Sequence, residues 1–269
     1  MTTEVEGLKK KLRATWMAGD FAEIAKSFET GAEDFVTRLD LKSGLAVLDV
    51  ACGNGNTAIP AALAGAEVTG VDIAPYLIEQ AIERAADAKV NAEFDVGDVE
   101  DLPYEDVSFD IVMTMFGAMF APRPDVTAGE LKRVCRPGGL ITMANWTPEG
   151  FIGQMFKTTG KHVAPPAGMP SPLLWGNEET VKSRLSDGIA DLQMVRRNID
   201  FVFPIGPAEV VEHFRKYYGP TQKAFDALEA DAQTALRKDL EDLWSSYNSA
   251  TDGTTKVASE YLEVRAIRA

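Results

Sequence analysis

Residues 47–57 read VLDVACGNGNT, an apolar stretch that runs into a glycine-rich turn and then into the start of a helix. Gly53 and Gly55 lack a Cβ atom, so they can adopt positive φ angles and let a ligand pass close over the turn. A helix that begins near Asn56 or Thr57 presents backbone N–H groups that have no partner within the helix. The stretch therefore predicts a strand, a turn and a helix arranged to bind a nucleotide.

A second strand supports nucleotide binding. Residues 67–72 read EVTGVD, and Asp72 ends this strand where nucleotide-binding folds place the carboxylate that binds two ribose hydroxyl groups. The turn alone does not identify the cofactor, because Gly53-x-Gly55-x-x-Ala58 also satisfies a relaxed dinucleotide fingerprint. A nicotinamide dinucleotide and S-adenosylmethionine both remain candidates on these two segments.

Three further segments separate the two cofactors. They read GDVEDLP over residues 97–103, SFDIVM over residues 108–113 and LKRVCRPGGL over residues 131–140. In this order after the glycine turn, they resemble the class I S-adenosylmethionine-dependent methyltransferases, which include the quinone-biosynthesis C-methyltransferases. The resemblance is close over residues 40–145 and weaker over residues 16–28, where Trp16 looks like part of the aromatic entry segment of that group.

The resemblance implies a Rossmann-like α/β fold with a mostly parallel sheet, helices on both faces and an antiparallel last strand. The residues that would bind S-adenosylmethionine, and S-adenosylhomocysteine as its product, are Trp16, Asp49, Ala51, Cys52, Gly53, Gly55, Asp72, Ile73, Gly97, Asp98, Val99, Thr114, Met115 and Phe116. Among them, Asp72 would bind the ribose and Asp98 the adenine edge. Residues 114–116 would lie beside the sulfonium.

Candidate residues for the methyl acceptor are aromatic or apolar and follow the core strands or lie in the C-terminal half. They are Met119, Phe120, Trp146, Phe151, Trp175 and Tyr218. A histidine near the methyl group could take a proton from a phenol, an amine or an enolisable carbon. The candidate catalytic residues are therefore His162, His213 and Tyr217, although a packing or surface role is an alternative for each histidine.

Composition excludes several classes of protein. The formal net charge of −14 disfavours a nucleic-acid partner, because each phosphate contact would be made against an unfavourable mean field. Two cysteines are too few for a disulfide scaffold or a metal cage. The sequence has neither a secretory apolar segment nor a run of about 18 apolar residues. We expect a cytoplasmic protein with no metal site and no integral membrane contact.

The hydrophobic pattern divides the chain into four parts. Residues 1–40 predict two N-terminal helices, over 4–18 and 21–28, that cover the cofactor site. Residues 41–145 predict the Rossmann-like core, with strands at 45–51, 67–72, 91–96, 109–115 and 139–145 and helices at 57–65, 75–88 and 124–135. Dense proline and glycine predict a loop-rich insertion over 146–193. Residues 194–269 predict two strands, 194–203 and 256–269, and a helical cap inserted over 207–247, with helices at 207–218 and 222–247.

These patterns predict an enzyme that transfers a methyl group from S-adenosylmethionine to a small, fairly apolar molecule. Two other interpretations stay open. One is an NAD(P)-dependent oxidoreductase, which the Asp98 segment and residues 136–139 disfavour. The other is a protein that binds S-adenosylmethionine as a sensor or structural ligand without transferring the methyl group. The sequence predicts neither the acceptor, the atom that is methylated nor the oligomeric state.

Overall fold

The structure is a computed structural model that describes residues 3–269. Within that range, one sheet contains the strands β1 (Ala46–Val50), β2 (Glu67–Asp72), β3 (Ala92–Val96), β4 (Phe109–Met115), β5 (Cys135–Trp146), β6 (Ile189–Phe203) and β7 (Thr255–Arg268). Their order across the sheet is β3-β2-β1-β4-β5-β7-β6. Strands β1 to β5 pair in parallel, whereas β7 runs antiparallel between β5 and β6. The predicted mostly parallel sheet with an antiparallel last strand is confirmed.

Helices surround this sheet. They are α1 (Thr3–Trp16), α2 (Phe21–Ala25), α3 (Glu29–Thr37), α4 (Ala58–Leu63), α5 (Pro75–Ala88), α6 (Pro124–Val134), α7 (Phe151–Gly160), α8 (Glu178–Arg184), α9 (Pro207–Tyr217), α10 (Gly219–Asp226) and α11 (Ala230–Tyr247). Strand order reverses after β3, because the chain returns to the other side of β1 to form β4. Right-handed crossovers then place α4 and α5 on one face of the sheet and α6 on the other.

The segment 146–193 is more regular than the predicted loop-rich insertion. It contains α7, a 3-10 helix (Pro172–Gly176) and α8. Helix α7 forms because Phe151, Ile152 and Met155 lie on one face and are buried. Three of the five prolines of this segment lie in its irregular part, residues 161–171, whereas five of its six glycines lie elsewhere.

The helical cap also differs from its predicted boundaries. The expected helix 222–247 is divided, since α10 ends at Asp226 and α11 begins at Ala230. The side chain of Gln233 donates hydrogen bonds to the backbone oxygens of Phe225, at 3.0 Å, and Leu228, at 2.9 Å. These bonds satisfy carbonyl groups that a continuous helix would have paired internally. A polar side chain thus stabilises the break.

Two strands extend beyond their predicted ranges, and one helix lies outside every predicted range. Strand β5 begins at Cys135, which pairs with Phe109, and β6 begins at Ile189, which pairs with Arg268. Their added residues are mostly polar or half-buried, so hydrophobic alternation does not reveal them. Helix α3 follows the predicted N-terminal helices and buries Phe35 and Val36. None of the helices in residues 3–269 has the length and apolar character needed to cross a membrane.

Candidate functional site

One cavity lies at the carboxyl ends of the parallel strands, where open α/β sheets bind ligands. The turns after β1, β2, β3 and β4 form its base, and α1 and the segment 21–28 form its cover. Its lining residues are Lys9, Leu12, Trp16, Phe21, Phe28, Ala51, Cys52, Gly53, Asn54, Asn56, Thr57, Val71, Asp72, Ile73, Leu77, Gly97, Asp98, Val99, Met115, Phe116, Gly117, Phe120, Ala121 and Pro122. The N-terminal segment and the core therefore build the site together.

The glycine turn after β1 opens toward this cavity. Gly53 has a φ of 53° and Gly55 a φ of 83°, in the left-handed region that favours glycine. A Cβ atom added to Gly53 would meet only the ring of Phe21, at 3.8 Å and beyond. The space directly above the turn is therefore available to a ligand.

Asp72 fixes the turn from the end of β2. Its Oδ2 accepts a hydrogen bond from the backbone N–H of Gly53, and its Oδ1 accepts one from that of Ala74, both at 2.9 Å. Burial raises the pKa of Asp72 above its usual value, although these backbone hydrogen bonds oppose the change. A carboxylate has about four lone-pair sites. Asp72 can therefore hold the turn and still accept hydrogen bonds from hydroxyl groups in the cavity.

Two buried oxygens beside the turn have no hydrogen-bond partner among residues 3–269. They are Oδ1 of Asp49 and Oδ1 of Asn54. The other carboxylate oxygen of Asp49 accepts a hydrogen bond from Thr57 Oγ1 at 2.7 Å. Burial raises the pKa of Asp49 to about 7. Asp49 lies behind the residues that line the cavity, whereas Asn54 is one of them. A ligand in the cavity would therefore bring a hydrogen-bond donor to this polar cluster from the side of the glycine turn.

The opposite end of the cavity is charged. Gly97, Asp98 and Val99 line it as predicted, and Lys9 of α1 also reaches it. The Nζ atom of Lys9 lies 2.5 Å from Asp98 Oδ2 and 2.7 Å from Glu100 Oε2. The sequence interpretation missed Lys9. Its spacing from Leu12 and Trp16, by three and seven residues, places all three on one helical face and could have indicated it.

Aromatic rings form the remaining wall. The ring of Trp16 lies 5.1 Å from that of Phe120 and 5.7 Å from that of Phe21, and Phe28 lies 6.1 Å from Phe116. Phe116 has a φ of 60°, which is unusual for a bulky residue and typical of strained positions at functional sites. This wall is apolar and favours an apolar or aromatic ligand group.

Comparison with known proteins decides the family. The sequence model of the methyltransferase domain family matches residues 47–139. An uncharacterised protein of Mycobacterium tuberculosis is 37% identical over 243 residues, which is 89% of this chain and 88% of that protein. The 2-methyl-6-phytyl-1,4-hydroquinone methyltransferase of a Synechocystis species is 37% identical over 131 residues, 46% of this chain and 41% of that enzyme. The chain belongs to the class I S-adenosylmethionine-dependent methyltransferases.

A solved structure shares the fold of this family. It is the phosphoethanolamine N-methyltransferase 2 of Haemonchus contortus, in complex with phosphomonomethylethanolamine and S-adenosylhomocysteine. The match has a TM-score of 0.55 at 20% sequence identity and covers 89% of this chain and 53% of that one. The likeness supports the methyltransferase fold of the chain.

Most of the predicted cofactor residues line the cavity of this methyltransferase, and three do not. Asp49, Gly55 and Thr114 lie outside the lining. Thr114 is buried, and its Oγ1 accepts a hydrogen bond from the backbone N–H of Ala118 at 3.2 Å. It supports the turn that follows β4. Leu12 and Phe28 line the cavity but lie outside the predicted cofactor set, in the N-terminal segment where the resemblance is weaker or absent. Asn54 also lines the cavity, within the predicted glycine turn.

Only Phe120 of the six predicted acceptor residues lines the cavity. The other five, Met119, Trp146, Phe151, Trp175 and Tyr218, are buried in the core. The ring of Trp146 stacks behind Phe116 with a centroid distance of 3.5 Å, and Tyr218 packs against Trp16 at 6.0 Å. These two side chains shape the cavity from behind its lining rings.

The structure does not bring the predicted catalytic residues to the cavity. His162 Nε2 lies 2.8 Å from Asp239 Oδ2, and His213 Nε2 lies 3.3 Å from the backbone oxygen of Glu23. Tyr217 packs on His213 with a centroid distance of 4.8 Å. Helical spacing correctly places His213 and Tyr217 on one face, but that face turns away from the cavity. Within residues 3–269, no group of three or more His, Cys, Asp or Glu residues is arranged to hold a metal ion.

Proposed function

We propose that this methyltransferase uses S-adenosylmethionine to methylate a small, fairly apolar molecule. The observation that carries the proposal is that the glycine turn, two carboxylates and a wall of aromatic rings meet in one cavity. The turn and carboxylates suit a nucleoside with an amino-acid tail. The aromatic wall suits an apolar acceptor.

An unpartnered oxygen of the lining fits this cofactor. The ammonium group of an amino acid is a donor with three N–H bonds, and Asn54, which lines the cavity, has a buried Oδ1 acceptor without a partner among residues 3–269. Asp72 has lone pairs left for the two ribose hydroxyl groups. When bound, S-adenosylmethionine supplies the electrophilic methyl group, which is the difficult part of the chemistry.

The residues of the chain then have to align the acceptor and exclude water. Trp16, Phe120 and Phe116 can do both, because their rings enclose the end of the cavity that follows β4. The titratable side chains of the lining are Lys9, Cys52, Asp72 and Asp98, which lie on α1, at the end of β2 and on the loops after β1 and β3. The aromatic end therefore acts by position and shape. The Synechocystis relative, whose name specifies a phytylated hydroquinone, supports an apolar aromatic acceptor.

Calorimetry with purified protein tests cofactor use. We expect S-adenosylhomocysteine to bind and NADH not to bind. Asp72→Ala should weaken binding by about 1.5–3 kcal/mol, the cost of losing hydrogen bonds to a charged acceptor. Asp87→Ala is a matched control, because Asp87 is exposed and does not line the cavity. Binding of NADH in place of S-adenosylhomocysteine would indicate an oxidoreductase instead.

Transfer of a labelled methyl group tests catalysis. The protein would be incubated with S-adenosylmethionine and a panel of alkylated hydroquinones, and the organic extract would be examined for the label. We expect label in at least one hydroquinone product. Tight binding of S-adenosylhomocysteine with no labelled product from any apolar acceptor would favour the sensor interpretation.

A further inference from the structure

A second cleft lies on the sheet away from the cofactor cavity. It is formed by β5, β6 and β7 and by Arg38, which follows α3. Leu140, Ile267 and Asp191 are in register across these strands, and Leu140 also pairs with Ile111 near the amino end of β4. The cleft extends to Glu263, which pairs with Ala144 toward the carboxyl end of β5, but it shares no lining residue with the cofactor cavity.

Three arginines converge in this cleft. They are Arg38, Arg197 of β6 and Arg265 of β7, and they outnumber the two carboxylates of its lining, Glu263 and Asp191. The whole chain has a formal net charge of −14. A local excess of positive charge in so acidic a protein would attract anions specifically to this place.

Glu263 partly neutralises the arginines. Its Oε2 accepts hydrogen bonds from Arg38, at 3.0 Å from Nε and 2.7 Å from Nη2. The Nε atom of Arg197 lies 2.8 Å from the same oxygen but makes no hydrogen bond to it. Glu263 is therefore shared between the ion pairs of Arg38 and Arg197. Among residues 3–269, no carboxylate forms an ion pair with Arg265.

Arg197 and Arg265 retain unused donors. Each guanidinium has five N–H bonds. Nη1 of Arg265 donates a hydrogen bond to the backbone oxygen of Arg38, at 3.1 Å. Planar guanidinium groups bind the oxygens of carboxylates and phosphates in pairs. The cleft thus offers more donors than acceptors and suits an oxyanion.

An apolar surface adjoins the arginines. It consists of Leu140, Val195 and Ile267, and Val195 is 47% exposed. Asp191, which pairs with Ile267 beside this surface, accepts a hydrogen bond from the side chain of Gln193 at 2.9 Å. A ligand with an anionic group at one end and a short apolar chain at the other matches both parts of the cleft.

We propose that this cleft binds a small amphiphilic anion. Its carboxylate or phosphate group lies against Arg197 and Arg265, and its apolar part lies on Leu140 and Ile267. The site is separate from the cofactor cavity, so it does not depend on the proposed methyl transfer.

Calorimetric titration of the cofactor-free protein tests the site. The three ligands are hexyl phosphate, hexanoate and inorganic phosphate. We expect saturable binding of hexyl phosphate or hexanoate. The anion that binds more tightly identifies the anionic group of the ligand. Inorganic phosphate should bind at least tenfold more weakly than hexyl phosphate, because it has no apolar part. Equal affinity for these two would overturn the amphiphilic assignment.

Matched variants place the ligand. Arg197→Gln and Arg265→Gln should each raise the Kd at least tenfold, with unaltered circular dichroism as the check on folding. Arg196→Gln is the control, because Arg196 is the neighbouring residue on β6, lies outside the cleft lining and pairs with Glu149, Glu178 and Glu260. No saturable binding of either organic anion up to about 10 mM would overturn the proposal. Equal loss in the Arg196 variant, or no loss in folded Arg197 and Arg265 variants, would also overturn it.

Discussion

The Nζ atom of Lys9 lies 2.5 Å from Oδ2 of Asp98 and joins the first helix to the loop after β3. Lys9 is 9% exposed, and its second partner, Glu100, has a fully buried side chain that Arg123 also contacts at 2.7 Å. Since Lys9 and Asp98 both line the cofactor cavity, this ion pair holds α1 over it. Helix α1 is therefore a lid attached near its middle, at the charged end of the cavity.

Replacing Lys9 with Met should loosen this lid. Removing the lysine from a buried ion pair leaves its carboxylate partners with too little positive charge nearby. This costs about 3 kcal/mol of stability or more. We expect a lower melting temperature, weaker S-adenosylhomocysteine binding and faster hydrogen exchange in α1. Lys10→Met is the control, because Lys10 is exposed on the same helix. Unchanged affinity and exchange in the Lys9 variant would show that the pair does not hold the lid.

The buried carboxyl of Asp49 should make stability depend on pH. Burial raises its pKa from 3.8 to about 7, so the folded protein binds a proton there that the unfolded chain has lost. The contribution of Asp49 to the free energy of unfolding is therefore fully present below about pH 4. It is lost as the pH rises to about 7, at roughly 1.4 kcal/mol per pKa unit. Asp49→Asn should show a melting-temperature advantage over the wild type that grows across this window and then levels off. A constant difference across the window would contradict the assignment, and Asp87→Asn serves as the exposed control.

The junction between α9 and α10 packs directly on the end of α1. Gly219 is buried, and a Cβ atom there would collide with the backbone oxygen of Thr15. Gly219→Ala should therefore separate the helical cap from the lid and lower both stability and S-adenosylhomocysteine affinity. Gly129→Ala is the matched substitution, because a Cβ atom there meets nothing within 4 Å and α6 gains roughly 0.5–1 kcal/mol of helix propensity. Thermal melts of the two variants should shift in opposite directions.

The two adjacent tyrosines of the cap should behave differently. Tyr218 is 6% exposed and packs behind Trp16 and Phe21, whereas Tyr217 is half-buried beside His213. Tyr218→Ala should cost about 3–5 kcal/mol, as is typical of a buried aromatic ring, and Tyr218→Phe should retain most of that stability. Denaturant unfolding measures the free energy of unfolding of both Tyr218 variants.

Residues outside the cavity should not affect catalysis directly. His213→Ala and Tyr217→Ala should leave methyl transfer and S-adenosylhomocysteine affinity close to those of the wild type, because neither side chain lines the cavity. The labelled-methyl assay and calorimetry measure these quantities. A large loss of turnover in a stable His213 variant would return this residue to the candidate catalytic set.

Local patterns were sufficient to predict the core fold. Alternating strands and helices with short turns require a parallel sheet, and carboxyl ends of parallel strands meet at one edge. Gly53 and Asp72 could therefore be assigned to one site although they lie 19 residues apart in the sequence, whereas the assignment of Asp98 rests on the resemblance to the methyltransferase family. Their placement follows from chain topology, which the hydrophobic period reveals.

The tertiary structure decided which distant side chains complete the sites. Lys9 meets Asp98 across 89 residues, and Arg38 meets Glu263 across 225 residues. Helical spacing placed His213 and Tyr217 on a shared face but could not show which way that face turns. Hydrophobic periodicity shows only that a helix has an apolar side. The rotation of the helix against the sheet depends on the packing of every neighbouring element. The sequence by itself therefore determined the parallel core and the strand ends where the cofactor residues meet, and only packing between distant segments decided how α1 is attached over the cavity, the second cleft and the place of each histidine.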